Sequence, residues 1–594
     1  MTITLPAFLT DDRCSRHGWL VLLMVCAALY LPGLGTLPMM DRDEPRFAHA
    51  TVEMMRRGSW AVPYFNDEYR FDKPPLTYWW MALHFRVFGI SEWSARLHTV
   101  IATWMVSLVI AGMAARLTSP RAGLFAGFAW LTTVQVIIHG RLCVADMPMV
   151  LCVALAMRAL SEIMLGDDAA PAAAARRAVP GIAWTRWHTV LYVALGFGFL
   201  AKGPVALLVP VLALALHRFV FWRKPLPWSR LRPLPGSMIA LAIIAGWGVP
   251  ALVETRGLFW KVGMGEHVID RGARALNGRF PVPGYYVATA WMSLFPWIIL
   301  LPIMWQRVRA RWSAQLALLV SWFLVPYVIF TFYATQLPHY VMPGFPAAMV
   351  LLAVVVCGTH EETAAAAGRG RGTRVVSAFA GISGLFWIGV MLVLTVASAC
   401  IEWPDGLGSI VSSLSDLVSA LGVAGFSIAM LTGVRKKRPA WVFAMALLLL
   451  LFVVPLAAWR VTSAIRASNA AAILAEHDAV TLPAKTDLIA CQFTEPSLVF
   501  HFDRIWRYTN KLTSLEGRLG RKGPRYAVVL RREWTLSEAV QRALLHKRQD
   551  PPVMDNSAAV DALVKSHPDY EHRTHSVFNA ARSSWAELVV MKRP

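Results

Sequence analysis

The sequence predicts an all-α polytopic membrane protein of about thirteen spanning helices followed by a small C-terminal α/β domain. Three observations carry that expectation. Of the 594 residues, 56% are hydrophobic and only 16% are charged, where soluble domains carry about 25% charged residues. Apolar runs of spanning length alternate with short basic or Pro/Gly-rich segments up to about residue 460. From 461 the composition turns ordinary, so the chain divides into 1–460, spanning, and 461–594, water-facing.

The spans follow from runs of about 20 apolar residues. They begin at 18–37, 91–117, 121–139, 148–165, 188–201, 204–222, 236–253, 285–305, 314–334, 340–357, 375–401, 408–434 and 440–460. The first lies behind Arg13 and Arg16 and lacks a small-residue cleavage site, so it reads as an uncleaved span. Between the fifth and sixth, Lys202-Gly203-Pro204 interrupts the apolar stretch and reads as a tight turn between two helices. Placing the N-terminus in the cytoplasm makes every inside loop basic, for example Arg307/Arg309/Arg311 and Arg435/Lys436/Lys437/Arg438, as the positive-inside rule requires. Residues 38–90, 140–147, Lys202, 254–284, 334–340, 402–407 and the C-terminal domain then share the outer face.

The net charge of +22 recurs between apolar runs and is not gathered into one stripe, which excludes nucleic acid as a partner and fits a bilayer. None of the seven cysteines forms a CxxC, so no disulfide framework or zinc site is indicated. The C-terminal domain alternates short β-like runs (488–491, 526–530, 585–591) with helix-like stretches (464–477, 535–546) and carries no Gly-rich phosphate loop.

The first outer loop holds cations against the topological bias, among them Arg46, Arg56, Arg57, Arg70 and Lys73, and binding an anion would explain them. Residues 40–58 read as an amphipathic helix with Arg46, Glu53 and Arg57 on one face. The plainer expectation is an interfacial helix lying on the bilayer, with Trp79 and Trp80 as belt residues. Two features favour chemistry. Asp43-Glu44 stands among arginines, where a carboxylate stays ionised. Lys73 adjoins Asp72 at a helix start announced by Pro74-Pro75, where an ammonium and free N–H groups suit a phosphate.

Asp43-Glu44-Pro45-Arg46, 58–63 and Asp72-Lys73-Pro74-Pro75-Leu76-Thr77-Tyr78-Trp79 resemble the aminoarabinose-transferase family, multispan GT-C enzymes related to protein O-mannosyltransferases. Arg141 through Asp146-Met147-Pro148, the segment 199–204 ending in Lys202-Gly203-Pro204, Glu266-His267 and 337–343 with His339-Tyr340 resemble later family segments in the same order. The resemblance implies transfer of a sugar from undecaprenyl phosphate to a lipid A, lipopolysaccharide-type or other envelope acceptor, at the periplasmic face of the bacterial inner membrane. The leaving group is an anionic lipid phosphate, so cations must stabilise it. Lys73, Lys202 and Arg271 are the candidates. Asp43, with Glu44 and Asp146, is expected near the reaction centre, as general base where the acceptor is a hydroxyl. Arg46, Glu266, His339 and Tyr340 are expected to position substrates, and the family also suggests Asp72 and His267 as ligands of a divalent metal. Phe47, Arg70, Asp72 and Gln336 depart from the family, which often has Tyr, an aromatic, Glu and Lys there. A transporter or flippase of lipid-linked sugars is the competing reading, but it calls for midplane charges and internal repeats, and neither is found. A protein O-glycosyltransferase of the same fold is a further one.

Overall fold

The computed structural model describes residues 17–39, 43–165, 184–225, 228–270, 282–357, 470–479, 481–535, 554–579 and 584–593, with scattered helical positions between 379 and 448. Five described helices are long and apolar enough to cross a membrane: Glu92–Leu117, Asp146–Met164, Trp228–Glu254, Ala314–Thr331 and Pro338–Val356. Gly18–Tyr30 and Val205–Phe221 are shorter apolar helices. The protein is therefore a multi-pass, mostly helical membrane protein. The sequence's count of thirteen is not reached among the described residues, and its last three spans (375–401, 408–434, 440–460) lie outside them but for those scattered helical positions.

The helix starts follow local chemistry. Ser91 caps Glu92–Leu117 through a reciprocal capping box with Ser94, and Ser119 and Ser313 cap Pro120–Leu131 and Ala314–Thr331 by accepting from backbone N–H groups. Arg186–Lys202 ends at Gly203, whose φ of +74° suits glycine, and Val205–Leu216 starts directly after Pro204. Lys202-Gly203-Pro204 is thus the expected turn. Arg186–Lys202 also packs on Asp146–Leu165, so the end of one helix meets the start of the other. Gly198 allows this, since a Cβ there would lie 2.9 Å from Ala206 and 3.2 Å from Cys152.

The first outer loop folds as a helix Asp43–Arg57, a hairpin of β1 (Tyr64–Phe65) and β2 (Glu68–Tyr69), and a helix Leu76–Phe88 that Pro75 precedes. The expectation of an interfacial helix is corrected. Protein covers ten residues of Asp43–Arg57, and Phe47, Ala48, Ala50, Val52 and Met54 join Tyr78, Met81 and Phe85 in one apolar cluster. Its polar face is covered as well: Glu53 accepts the Asn66 N–H at 2.6 Å and the Asp67 N–H at 3.3 Å. Trp79 is likewise no simple belt residue, because its Nε1 donates to Trp60 O at 2.9 Å.

The C-terminal region forms a six-stranded mixed sheet. The strands are β3 (Asp487–Cys491), β4 (Trp506–Thr509), β5 (Arg525–Thr535), β6 (Met554–Asp555), β7 (Glu571–Asn579) and β8 (Ser584–Arg593), in the order β4-β3-β5-β8-β7 with β6 on β5. β4, β3 and β5 run parallel; β8 is antiparallel to both β5 and β7. Alternate residues of β3, β5 and β8 enter two separate clusters, Leu488, Val528 and Val590 in one, Ile489, Val529 and Val589 in the other. A sheet covered on both faces needs continuous apolar strands, which is why those three were visible in the sequence. Of the helix-like stretch 464–477, Ala470–Leu474 is an α-helix that runs on into the π-helical Ala475–Ala479, while 464–469 and 536–546 lie outside the described residues.

This sheet docks on the outer loop. The Asn66 side chain pairs with the Trp506 backbone like a strand neighbour, donating to its O and accepting from its N–H at 2.8 Å each. Arg56 forms a bidentate pair with Asp503, and Phe65 and Phe500 pack between the two regions.

Candidate active site

One cavity of about 440 Å³ gathers residues from four distant segments. Asp72 and Lys73 come from the outer loop, Asp146 from the start of its helix, Lys202 from the turn, and His339 and Tyr340 from the 3₁₀ segment Pro338–Gly344. An apolar wall that includes Phe71, Phe199, Leu241, Trp247, Phe259 and Ile329 completes it. Such a site suits a ligand with an anionic head and a hydrocarbon body.

At its polar end, Lys202 Nζ donates to Asp146 Oδ1 at 2.5 Å, and His339 Nε2 lies 3.9 Å from the same oxygen. Lys202 Nζ also stands 5.6 Å from the centre of the Tyr340 ring, within cation–π range. Asp146 is therefore anchored by Lys202 and is not simply a loop carboxylate paired with Arg141, whose guanidinium donates to Leu29 O and Pro32 O. Lys73 Nζ donates to the Asp72 carbonyl at 3.0 Å.

Behind Asp72, Arg70 is buried. Its NH1 is 2.8 Å from Asp72 Oδ2, its Nε donates to Tyr78 Oη at 3.0 Å, and its guanidinium lies 5.4 Å from the Phe47 ring centre. The departures at Phe47, Arg70 and Asp72 thus touch one another: the cation at 70 is held by the shorter acid at 72 and the ring at 47. Burial pulls the Arg70 guanidinium down, yet Tyr78, Asp72 and Asp43 outweigh it and leave it above its ordinary value. Burial also pushes the Tyr78 hydroxyl up, against the pull of Arg70.

Asp43 is exposed at the first position of its helix, does not line the cavity, and reaches it electrostatically through Arg70 and Tyr78. Arg46 is half-buried on that helix and also does not line the cavity. Glu44 is corrected. Its two oxygens accept from Arg96 Nε and Nη2 at 2.8 Å each, and Oε1 also accepts the Cys143 N–H at 2.8 Å. Arg96 continues to the carbonyls of Leu34, Leu37 and Pro38. Glu44 therefore ties the loop to the helices and does not line the cavity. Glu266 and His267 fall in the π-helical stretch Phe259–Asp270, their side chains lie outside the described residues, and Arg271 lies outside them altogether. Among the described residues, no group of three His, Cys, Asp or Glu could hold a metal ion, and Asp72 is engaged by Arg70.

With this geometry in place, three comparisons bear on it. Residues 72–171 match the model of the dolichyl-phosphate-mannose-protein mannosyltransferase family. An undecaprenyl phosphate-alpha-4-amino-4-deoxy-L-arabinose arabinosyl transferase from Edwardsiella ictaluri is 29% identical over 348 residues, 57% of this chain and 59% of that one. Its namesake from Serratia proteamaculans is 26% identical over 455 residues, 74% and 76% of the two chains. The crystal structure of ArnT from Cupriavidus metallidurans bound to undecaprenyl phosphate superposes with a TM-score of 0.67 at 21% identity, covering 97% of this chain and 98% of that one. The chain is similar in sequence to these arabinosyl transferases and shares the fold of the Cupriavidus protein. The match to the Edwardsiella relative spans about three fifths of that relative's length, whereas the structural likeness runs from end to end.

Sequence reading of this chain missed Arg96, whose signal was a charge just inside a predicted span.

Proposed function

We propose that this chain is a glycosyltransferase moving a sugar from an undecaprenyl-phosphate carrier to a lipid A-type acceptor at the periplasmic face of the bacterial inner membrane. The observation that carries the reading is the convergence of Lys73, Lys202, Asp72, Asp146, His339 and Tyr340 on one apolar-walled cavity. The names of the relatives and the undecaprenyl phosphate in the Cupriavidus structure support that carrier, with 4-amino-4-deoxy-L-arabinose as the sugar. The C-terminal sheet docked on the outer loop supports one shared side for both, 1–460 as the spanning unit and 461–594 as the outer one.

In the reaction, the bond from the sugar's anomeric carbon to the phosphate oxygen breaks, and its electron pair stays on the lipid phosphate. A new bond forms from an acceptor oxygen on the opposite face, with inversion. Lys73 and Lys202 stabilise the departing phosphate, each cation being aimed where charge develops. Asp146 fixes the Lys202 ammonium in place. Asp43, exposed at its helix start, takes the proton from a hydroxyl acceptor; with a phosphate acceptor the nucleophile is already anionic and Asp43 orients it.

Mass spectrometry of envelope lipids, glycans and proteins from cells with and without the chain tests this. The expected result is a pentosamine added to lipid A that disappears with the chain and with Lys73→Ala. Identical lipid profiles would refute the acceptor, and a sugar found on protein would favour the protein-glycosylating reading.

A further inference from the structure

We propose that Arg70 is a positioning residue of this site: its buried guanidinium takes the Asp72 carboxylate, stands where a divalent cation on that acid would stand, and leaves the Lys73 charge to the donor phosphate. The inference rests on the reading of the cavity as the donor-phosphate site.

Three polar contacts hold Arg70. Its backbone N–H donates to Pro63 O at 2.8 Å, its Nε donates to Tyr78 Oη at 3.0 Å, and its Nη1 lies 2.8 Å from Asp72 Oδ2. The Phe47 and Tyr78 rings stack with centres 5.2 Å apart, and the guanidinium lies over the Phe47 ring. The Arg70 side chain is 6% exposed against 22% for Asp72, and of the two only the acid lines the cavity. A guanidinium keeps its proton in a protein, so the positive charge beside Asp72 is permanent.

The family resemblance offers Asp72 to a divalent cation, and the residues around it do not fit one. An ion on Asp72 would face the fixed guanidinium across a single carboxylate, with the Lys73 ammonium one residue on, a repulsion that enclosure strengthens. Such ions also need several anionic or neutral ligands. Among the described residues, the acids that line the cavity already hold cations, Asp72 with Arg70 and Asp146 with Lys202. The same contact bears on Lys73, whose Nζ donates to the Asp72 carbonyl at 3.0 Å. A carboxylate with no cation of its own would compete with the donor phosphate for that ammonium. Arg70 balances the Asp72 charge first, which leaves the attraction of Lys73 for phosphate.

One test needs no sugar transfer. The full-length protein in detergent, stripped with a chelator, is titrated calorimetrically with Mn²⁺ and, separately, with Zn²⁺. The expected result is equal uptake by the parent and by Asp72→Asn; a stoichiometric ion bound by the parent and lost in Asp72→Asn would overturn the proposal. A second test reads kinetics. Arg70→Met is expected to raise the donor KM about tenfold, and Arg70→Lys, which keeps the charge, to raise it less. Adding Asp72→Asn to Arg70→Met is expected to recover at least part of the loss, because the unbalanced carboxylate leaves with its partner. A merely structural Arg70 would not be rescued by removing a second polar group. A donor KM in Arg70→Met equal to the parent's, or a double variant no better than Arg70→Met, would overturn the proposal. Because ion uptake is measured without sugar transfer, a failure of the assigned reaction remains distinguishable from a failure of this inference.

Discussion

Replacing Lys202 by Met, Asp146 by Asn, and then both together separates what this pair does for the fold from what it does for the reaction. The two charged atoms lie 2.5 Å apart, with the side chains 16% and 8% exposed. At an effective dielectric constant of about 20 that separation gives a gross attraction of roughly 6–7 kcal/mol. Desolvation of both groups offsets most of it, so the pair adds little net stability. Removing a single partner, however, leaves a buried charge without its counter-ion and costs about 3–5 kcal/mol. Each single variant is therefore expected to lower the thermal midpoint of the detergent-solubilised protein, and the double variant to recover at least half of that loss. Turnover should behave differently. Lys202 lines the cavity, and loss of one cation that stabilises the departing phosphate reduces kcat by about 10²–10³-fold. The double variant, though refolded, is expected to stay as slow as Lys202→Met. Stability would be followed by thermal unfolding, and activity by transfer of labelled sugar from the polyprenyl carrier. A double variant that regains both stability and parental turnover would refute the reasoning, because the pair would then be purely structural.

Lys73→Ala removes the other cation from the cavity, so kcat is expected to fall about 10²-fold; normal turnover would exclude Lys73 from the site. Glu44→Gln is expected to do the reverse. It deprives buried Arg96 of its carboxylate, at a cost of about 3–5 kcal/mol, while the folded fraction keeps turnover within a few-fold, measured per folded molecule. His501 sits in the Ser497–Phe502 helix, where burial holds its imidazole below the ordinary value, Arg96 adds to that effect and Glu92 opposes it. A depressed value means that the undocked state takes up the proton first. The docking contribution is thus fully present above about pH 6.5 and is lost as pH falls below it. Hydrogen exchange over 497–506 at pH 7.5 and 5.5 should show the loosening, and His501→Phe should abolish the difference; equal protection at both values counts against it.

The sequence made legible whatever depended on periodicity, breaking residues or a charge out of place. Gly203 and Pro204 marked the turn that holds Lys202, Pro74 and Pro75 marked the next helix start, and the runs at 488, 526 and 585 marked the strands buried on both faces. What it hid was pairing over distance. Glu44 and Asp43 read alike, adjacent acids among arginines, and only the fold shows that Arg96, 52 positions away, takes one of them into the interior. β7 was invisible for a related reason: Glu571-His572-Arg573-Thr574 has no apolar run, and it becomes a strand only because β8 offers an antiparallel edge. The amphipathic pattern of 43–57 was read correctly as a pattern, but its partner is protein rather than lipid. A hydrophobic face records that something apolar covers it, not what does.

The same long-range pairings explain how a loop can hold a cation at the cavity at all. Lys73 belongs to a connection that begins 43 residues into the chain and would be mobile by default. Here it is clamped from two sides. Glu44 and Arg96 fix the start of the first loop helix to the carbonyls that follow Gly18–Tyr30, and Asn66 and Arg56 fix its hairpin and helix end to Trp506 and Asp503. Arg70 then ties Asp72 to Tyr78 on the second loop helix, so the residue preceding Lys73 is held by a buried cation. The Glu44–Arg96, Asn66–Trp506 and Arg70–Asp72 contacts are polar and at least partly enclosed, and a polar contact of that kind fixes direction as well as distance in a way apolar packing does not. The C-terminal sheet, which lines none of the cavity, thus holds the loop that does. Deleting Asn66's side chain should therefore raise the donor KM more than it lowers the unfolding midpoint, the opposite balance from Glu44→Gln.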